Sequence, residues 1–118
     1  MKLVYVAGRY RAPTPYQVSR NIAAARSVGE QVCALGLAAY PVIPHCNTAH
    51  FDGLREDEFW LAGTLQLLRR CDCVMLVPGW ESSSGTRAEI READGLALPV
   101  FDDLDAMADW LRRMERGL

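Results

Sequence analysis

The stretch SSSGTRAEI, Ser82 to Ile90, places a carboxylate, Glu89, just inside a helix-forming run that follows three serines and a glycine. Such a carboxylate is either a helix cap or a reagent. Thr86-Arg-Ala-Glu89 fits the capping box, in which the threonine hydroxyl and the glutamate carboxylate satisfy reciprocal backbone donors. Ser82, Ser83, Ser84 and Gly85, however, offer hydroxyls and backbone N–H groups at a helix amino terminus, a composition suited to phosphate. An acid beside a phosphate cradle is more than a cap requires.

The elements that must position Glu89 follow from periodicity. KLVYVAG (2–8) is a short apolar run closed by glycine, as a buried first strand should be. Between Tyr16 and Leu35, Val18, Ile22, Ala25, Val28, Val32 and Leu35 recur at spacings of three and four, with Gly36 at the carboxyl cap. AAYPVIP (38–44) predicts a second strand interrupted by prolines. A polar loop then leads to a helix from about Glu58 to Arg70, and CDCVMLVP (71–78) predicts a buried third strand. A helix over Thr86 to Leu96, a strand ALPVF (97–101), and a final helix capped by Asp102 or Asp103 complete the chain.

Repeated alternation of strand and helix implies an α/β fold: one Rossmann-like or flavodoxin-like domain over 1–118, its parallel sheet of four to five strands covered by helices on both faces. In such sheets ligands bind beyond the carboxyl ends of the strands. Ala7 to Arg11, Pro44 to Asn47, Pro78 to Gly85 and the turn after Phe101 lie there, so Glu89 starts from the edge where chemistry is expected.

Composition narrows the partners. The chain has 118 residues, half of them hydrophobic, with 24% charged and a formal net charge of −2. That supports a single core and lacks the basic excess that a nucleic-acid polymer would call for. No apolar run approaches the ~20 residues of a membrane span. The amino terminus enters a strand directly, without a signal peptide, which points to the cytoplasm. The cysteines Cys33, Cys46, Cys71 and Cys73 form no paired framework. Cys71 and Cys73, two apart in a strand, would share one face. A metal set of Cys71, Cys73, Cys46 and His45 can be drawn, but buried reduced thiols are the expectation, with no metal and no cofactor.

YVAG at the end of the first strand, CDCVMLVPGW, and SSGTRAEI, taken together and in order, resemble the nucleoside 2-deoxyribosyltransferase-like superfamily, particularly its small members. The resemblance covers most of the chain. It implies that Glu89 is the nucleophile at the anomeric carbon of a (deoxy)ribose, that Tyr5 stands near it, and that Gly8 belongs to the ligand loop. Six residues before the nucleophile, transferases of free nucleosides carry an Asp that receives the 5′-hydroxyl. The branch that hydrolyses 2′-deoxynucleoside 5′-monophosphates has Ser, and this chain has Ser83. A carboxylate would repel a phosphate to which a hydroxyl can donate.

Arg9, Arg11 and Arg87 either add charge-assisted contacts to such a phosphate or are solvated loop arginines. His45, after the second strand, either touches sugar or base or is merely exposed. Family enzymes place an Asp eight residues before the Asp of CDC, where this chain has Thr64; Asp52, Asp57 and Glu58 are candidates to serve as acid in its stead. Asp72 starts the third strand, opposite the ligand edge, and suits local pairing.

The implied reaction is double displacement through a glycosyl-enzyme ester, resolved by water or, in a transferase, by a second base. PGWESSSGTRAEI also resembles, less closely, the signature of cytokinin-type phosphoribohydrolases. A non-catalytic nucleotide-sensing module on the same scaffold is the reading that Thr64 favours. The resemblance further implies a homodimer or larger homo-oligomer whose partner closes the site. Trp80 and Trp60 are candidates for that contact or for a base-stacking wall, and Trp110 is ordinary packing.

Overall fold

A computed structural model describes residues 1–117. The elements are β1 (Lys2–Ala7), α1 (Pro15–Ala34), β2 (Ala39–Val42), α2 (Pro44–Asn47), α3 (Asp57–Leu68), β3 (Cys73–Leu76), α4 (Ser84–Gly95), β4 (Val100–Phe101) and α5 (Leu104–Glu115). The four strands form one parallel sheet in the order β2-β1-β3-β4. The chain therefore leaves β1 to one side for β2 and returns to the other for β3. Such a reversal opens a crevice between the carboxyl ends of the two central strands.

Side-chain alternation along β1 sets up two cores. Val4 and Val6 point into a layer with Ala25, Val28 and Val32 of α1 and Met107 and Leu111 of α5. Tyr5 and Ala7 point the other way, into a layer with Leu68 of α3 and Ala93 of α4. Helices thus cover both faces. The same parity places the Tyr5 ring on the side of α4, which carries Glu89.

Several boundaries depart from the sequence expectation for identifiable reasons. The last strand is two residues rather than five, because the exit of α4 consumes the segment before it. Ala97 adopts φ 58°, and the N–H groups of Leu96, Ala97 and Leu98 return to carbonyls of Glu92 to Asp94. Pro41 is tolerated because β2 is an edge strand. Pro44, expected to end that strand, instead opens the single helical turn of α2, where its missing N–H costs nothing. Cys71 and Cys73 do not share a face. The strand begins only at Cys73, and Cys71 is still bonded through its N–H to Leu68 at the end of α3, so the two thiols enter opposite cores. Burial pushes Cys71 up to about 11 and Cys73 to about 12, which keeps both protonated.

The three tryptophans have neighbours within the chain. Trp80 lies half-buried against the Tyr5 layer, and Trp60 donates its indole N–H to the Arg55 carbonyl at 3.1 Å. Trp110 packs on Phe101 at 5.9 Å between ring centroids. Asp103 caps α5, its carboxylate accepting from Asp105 N–H at 3.2 Å. Asp72 pairs locally at the far edge of the sheet, its carboxylate accepting from Leu3 N–H at 2.7 Å. Among the described residues, no helix is long and apolar enough to cross a membrane.

Candidate active site

Glu89 and Tyr5 meet inside the molecule. Tyr5 is fully buried and Glu89 is 7% exposed, and the tyrosine hydroxyl donates to Oε2 of the carboxylate. The Thr64 side chain, from α3, approaches both, its hydroxyl donating to the Leu61 carbonyl at 3.1 Å. Burial pushes Glu89 up to about 7, and the bonds from Tyr5 and Thr64 oppose that rise. Burial and the facing carboxylate push the Tyr5 hydroxyl far above its ordinary value, so it acts as a neutral donor. A carboxylate poised near neutrality, with one oxygen held by a fixed donor, is equipped to attack or to exchange a proton.

The capping box is not formed. Helix α4 starts two residues before Thr86: Ser83 is the cap, its hydroxyl oxygen accepting from Thr86 N–H at 3.1 Å. Glu89 consequently falls in the second turn, facing the core, too far along to serve the helix start. Thr86, also buried, donates its own hydroxyl to Ser83 Oγ at 2.9 Å. With two bonds already accepted, the Ser83 hydroxyl has its own proton to give. The N–H groups of Ser84 and Gly85, at the first two helical positions, have no carbonyl within the helix to take them up. A side chain at Gly85 would find only Ser83 Oγ within 4 Å, at 3.9 Å, so the approach to these donors is open. Arg87 folds back from them onto the carbonyl of Glu81 and braces the 3-10 turn Trp80–Ser82.

The loop after β1 forms the opposite wall. Gly8 is required there by close approach, since a Cβ would lie 2.6 Å from Val77 Cβ where β1 and β3 end side by side. Gly8→Ala is expected to cost about 1–3 kcal/mol through overpacking, read as a lower midpoint in denaturant unfolding. An unchanged midpoint would mean that the two strand ends can separate freely.

His45 lies beneath this loop rather than facing solvent. It is 7% exposed, and its Nε2 is 3.1 Å from the Gly8 carbonyl and 2.8 Å from that of Arg9. Both partners only accept, so Nε2 carries the proton, while Nδ1 is buried with no hydrogen-bond partner among the described residues. Burial lowers its pKa, keeping the ring neutral.

Two of the three candidate acids are engaged by neighbouring side chains. Asp57 forms an ion pair with Arg11, which holds its carboxyl below the usual range. Asp52 accepts from Tyr10 OH at 2.6 Å, and Tyr10 OH in turn accepts from His50 N–H at 3.0 Å. Glu58 is exposed on the outer side of α3. Arg9 is exposed and lines a crevice of about 170 Å³ shared with Tyr16 and Arg20 of α1. Tyr10 of the loop after β1 and Asn21 of α1, whose amide donates to the Tyr10 carbonyl at 3.0 Å, also belong to this wall and carry no motif. An aromatic inside an otherwise polar loop was the available sign. Among the described residues, no three His, Cys, Asp or Glu side chains gather as metal ligands.

A family described as a domain of unknown function, DUF7768, matches residues 2–102, a span that contains the whole sheet and all of the site above. No curated protein matches the chain.

Proposed function

We propose that this chain, which belongs to the DUF7768 family, is an N-glycosidase that cleaves the base–sugar bond of a (deoxy)nucleoside 5′-monophosphate, in the manner of the nucleoside 2-deoxyribosyltransferase-like enzymes its motifs resemble. The observation that carries the reading is the buried Glu89–Tyr5 pair set five residues along the helix whose amino terminus presents Ser83, Ser84 and Gly85. Five residues correspond to about 7.5 Å of helix rise, on the scale of the reach from a 5′-phosphate to the anomeric carbon of the same nucleotide. A phosphate seated on the Ser83 hydroxyl and the free N–H groups would thus leave C1′ over Glu89.

In this mechanism Glu89 attacks C1′ while Tyr5 holds the other carboxylate position, and the C1′–N bond breaks with its electron pair leaving on the base. The base takes its proton from solvent, because Asp57 is held ionised by Arg11 and Asp52 is engaged by Tyr10. Water then attacks C1′ of the ester, releasing sugar phosphate and restoring the carboxylate. A second base in place of water would make the protein a transferase. On this reading the protein works in the cytoplasm, where thiols such as Cys71 and Cys73 stay reduced, and a second copy of the chain closes the crevice over the short-lived ester.

Free base released from a panel of nucleoside 5′-monophosphates, with the corresponding nucleosides alongside, tests the reading. Release from monophosphates is expected, and kcat/KM should rise with pH through about 7, as Glu89 loses its proton, to a plateau above. Tyr5→Phe should move that step to higher pH, since it removes a bond that favours the ionised form. Thr64, a hydroxyl beside Glu89 where the resembling enzymes have a carboxylate, favours a second reading, a nucleotide-binding module. Saturable binding without any base release would establish that one instead.

A further inference from the structure

The loop between β1 and α1 turns its carbonyl groups inward, and two side chains take them up. The Ala7 carbonyl accepts from Val77 N–H at 2.8 Å. The next two, those of Gly8 and Arg9, share the single Nε2–H of His45, at 3.1 and 2.8 Å. The two after them, those of Tyr10 and Arg11, accept from the Asn21 amide at 3.0 and 3.5 Å. A trans peptide unit is planar, with C=O and N–H on opposite sides, so a carbonyl fixed on one side fixes the following N–H on the other. The N–H groups of Arg9 and Tyr10 therefore face away from His45. Among the described residues, neither gives a hydrogen bond.

His45 follows β2, which flanks β1 on the side opposite β3. Away from His45 is thus towards β3, where Gly8 abuts Val77 and beyond which α4 begins. Two adjacent donors facing that way look into the crevice that also holds Ser83 and Glu89. The imidazole is itself held. Pro44 opens its helical turn, Cys46 N–H closes that turn onto the Ile43 carbonyl at 3.0 Å, and the Tyr10 ring lies 5.9 Å away between centroids. Packing alone does not account for a histidine here. Its Nδ1 is buried with no hydrogen-bond partner among the described residues, a cost that an apolar side chain of similar size would avoid. What the position uses is the Nε2–H.

We infer that His45 is a positioning residue for ligand binding: by engaging the Gly8 and Arg9 carbonyls, it keeps the acceptor side of the loop out of the crevice and the Arg9 and Tyr10 N–H groups turned to an oxyanion of the ligand. Without it, either peptide unit can turn over and set a partly negative carbonyl oxygen against that oxyanion. The inference rests on the function proposed above only in taking the oxyanion to belong to a sugar phosphate.

Nuclear magnetic resonance of the 118-residue chain tests the role, with 2-deoxyribose 5-phosphate as a probe that carries the phosphate and no base. The His45 ring nitrogens should show the Nε2–H tautomer before the probe is added, and the Arg9 and Tyr10 amide protons should be among those that move most on its addition. Two variants separate positioning from packing. Glutamine sets an amide nitrogen where Nε2 stands, whereas the shorter asparagine reaches only to the place of Nδ1. His45→Gln should hold the dissociation constant within a few-fold, and His45→Asn should raise it roughly 10- to 100-fold, the scale of one hydrogen bond to a charged group. An Nδ1–H tautomer, a probe that binds without moving either amide or does not bind at all, or equal affinities of the two variants would each overturn the role. The two readings fail differently. Base released from monophosphates while both amides stay unmoved retains the glycosidase and removes His45 from it, and both amides moved with no base released does the reverse.

Discussion

Glu89→Gln is expected to lower base release by roughly four to six orders of magnitude, the scale on which loss of an enzymatic nucleophile is felt, while leaving the protein folded. Glutamine has the same shape, and its carbonyl can still accept from Tyr5, but it cannot form the glycosyl ester. Stability gives a second readout with a definite sign. Because the folded carboxyl is pushed up to about 7 by burial, the folded state holds a proton that the unfolded chain has released once pH passes the ordinary carboxylate range. Stability associated with Glu89 is therefore full at acid pH and is lost as pH rises through about 7. The shift amounts to about 3 kcal/mol, so the glutamine variant should be more stable than the parent at pH 8 by up to that order, with the gap closing towards pH 4. Urea midpoints at the two pH values, measured with base release, check both halves. Turnover retained in the variant would remove Glu89 from the chemistry.

Ser83→Asp should separate phosphate recognition from the reaction. Aspartate is as good a helix cap as serine, so α4 should keep its start, and Thr86 N–H and Oγ–H can both donate to the new carboxylate as they now do to Ser83 Oγ. What changes is the outward-facing group. A hydroxyl proton available to a phosphate oxygen becomes a negative charge facing that phosphate. Losing a hydrogen bond to a charged group costs about 1.5–3 kcal/mol, before any repulsion, so kcat/KM for the monophosphate should fall by roughly 100-fold or more. The value for the free nucleoside should stay within a few-fold. Equal loss on both substrates would place Ser83 in maintaining the helix rather than in reading the phosphate.

The parts of this molecule legible in the sequence are those written periodically. The apolar stripe of α1, the alternation of β1 and the run ending at Leu76 each repeat a pattern, and a parallel sheet covered on both faces follows from their order. Single residues whose partners come from distant segments were not legible. His45 looks like any loop histidine until the Gly8 and Arg9 carbonyls arrive above it. Thr86-Arg-Ala-Glu89 reads as a capping box because the motif is local, whereas Ser83 takes the cap through its extended backbone, φ −105° and ψ 114°. That Asp52 and Asp57 would be engaged by Tyr10 and Arg11 was equally hidden, since a bond between two loops leaves no period behind. Tyr5 and Glu89 were named as a pair through family resemblance; their contact depends on a parity and a helix phase that only the folded chain brings together.

The order of the sheet bears on how the chain comes to be folded at all. β1 is made first yet lies in the interior of the sheet, between β2 and β3, and its first contact with the β3 side, Leu3 to Asp72, spans 69 residues. Closing so long a loop costs entropy before any strand pairing compensates it, and parallel sheets are slow to form for that reason. During synthesis, LVYVA must therefore wait with one edge unpaired until most of the chain exists, as an apolar strand without a partner. The vulnerable species of this protein is thus the growing or refolding chain, where crowding by other copies competes directly with the arrival of CVML.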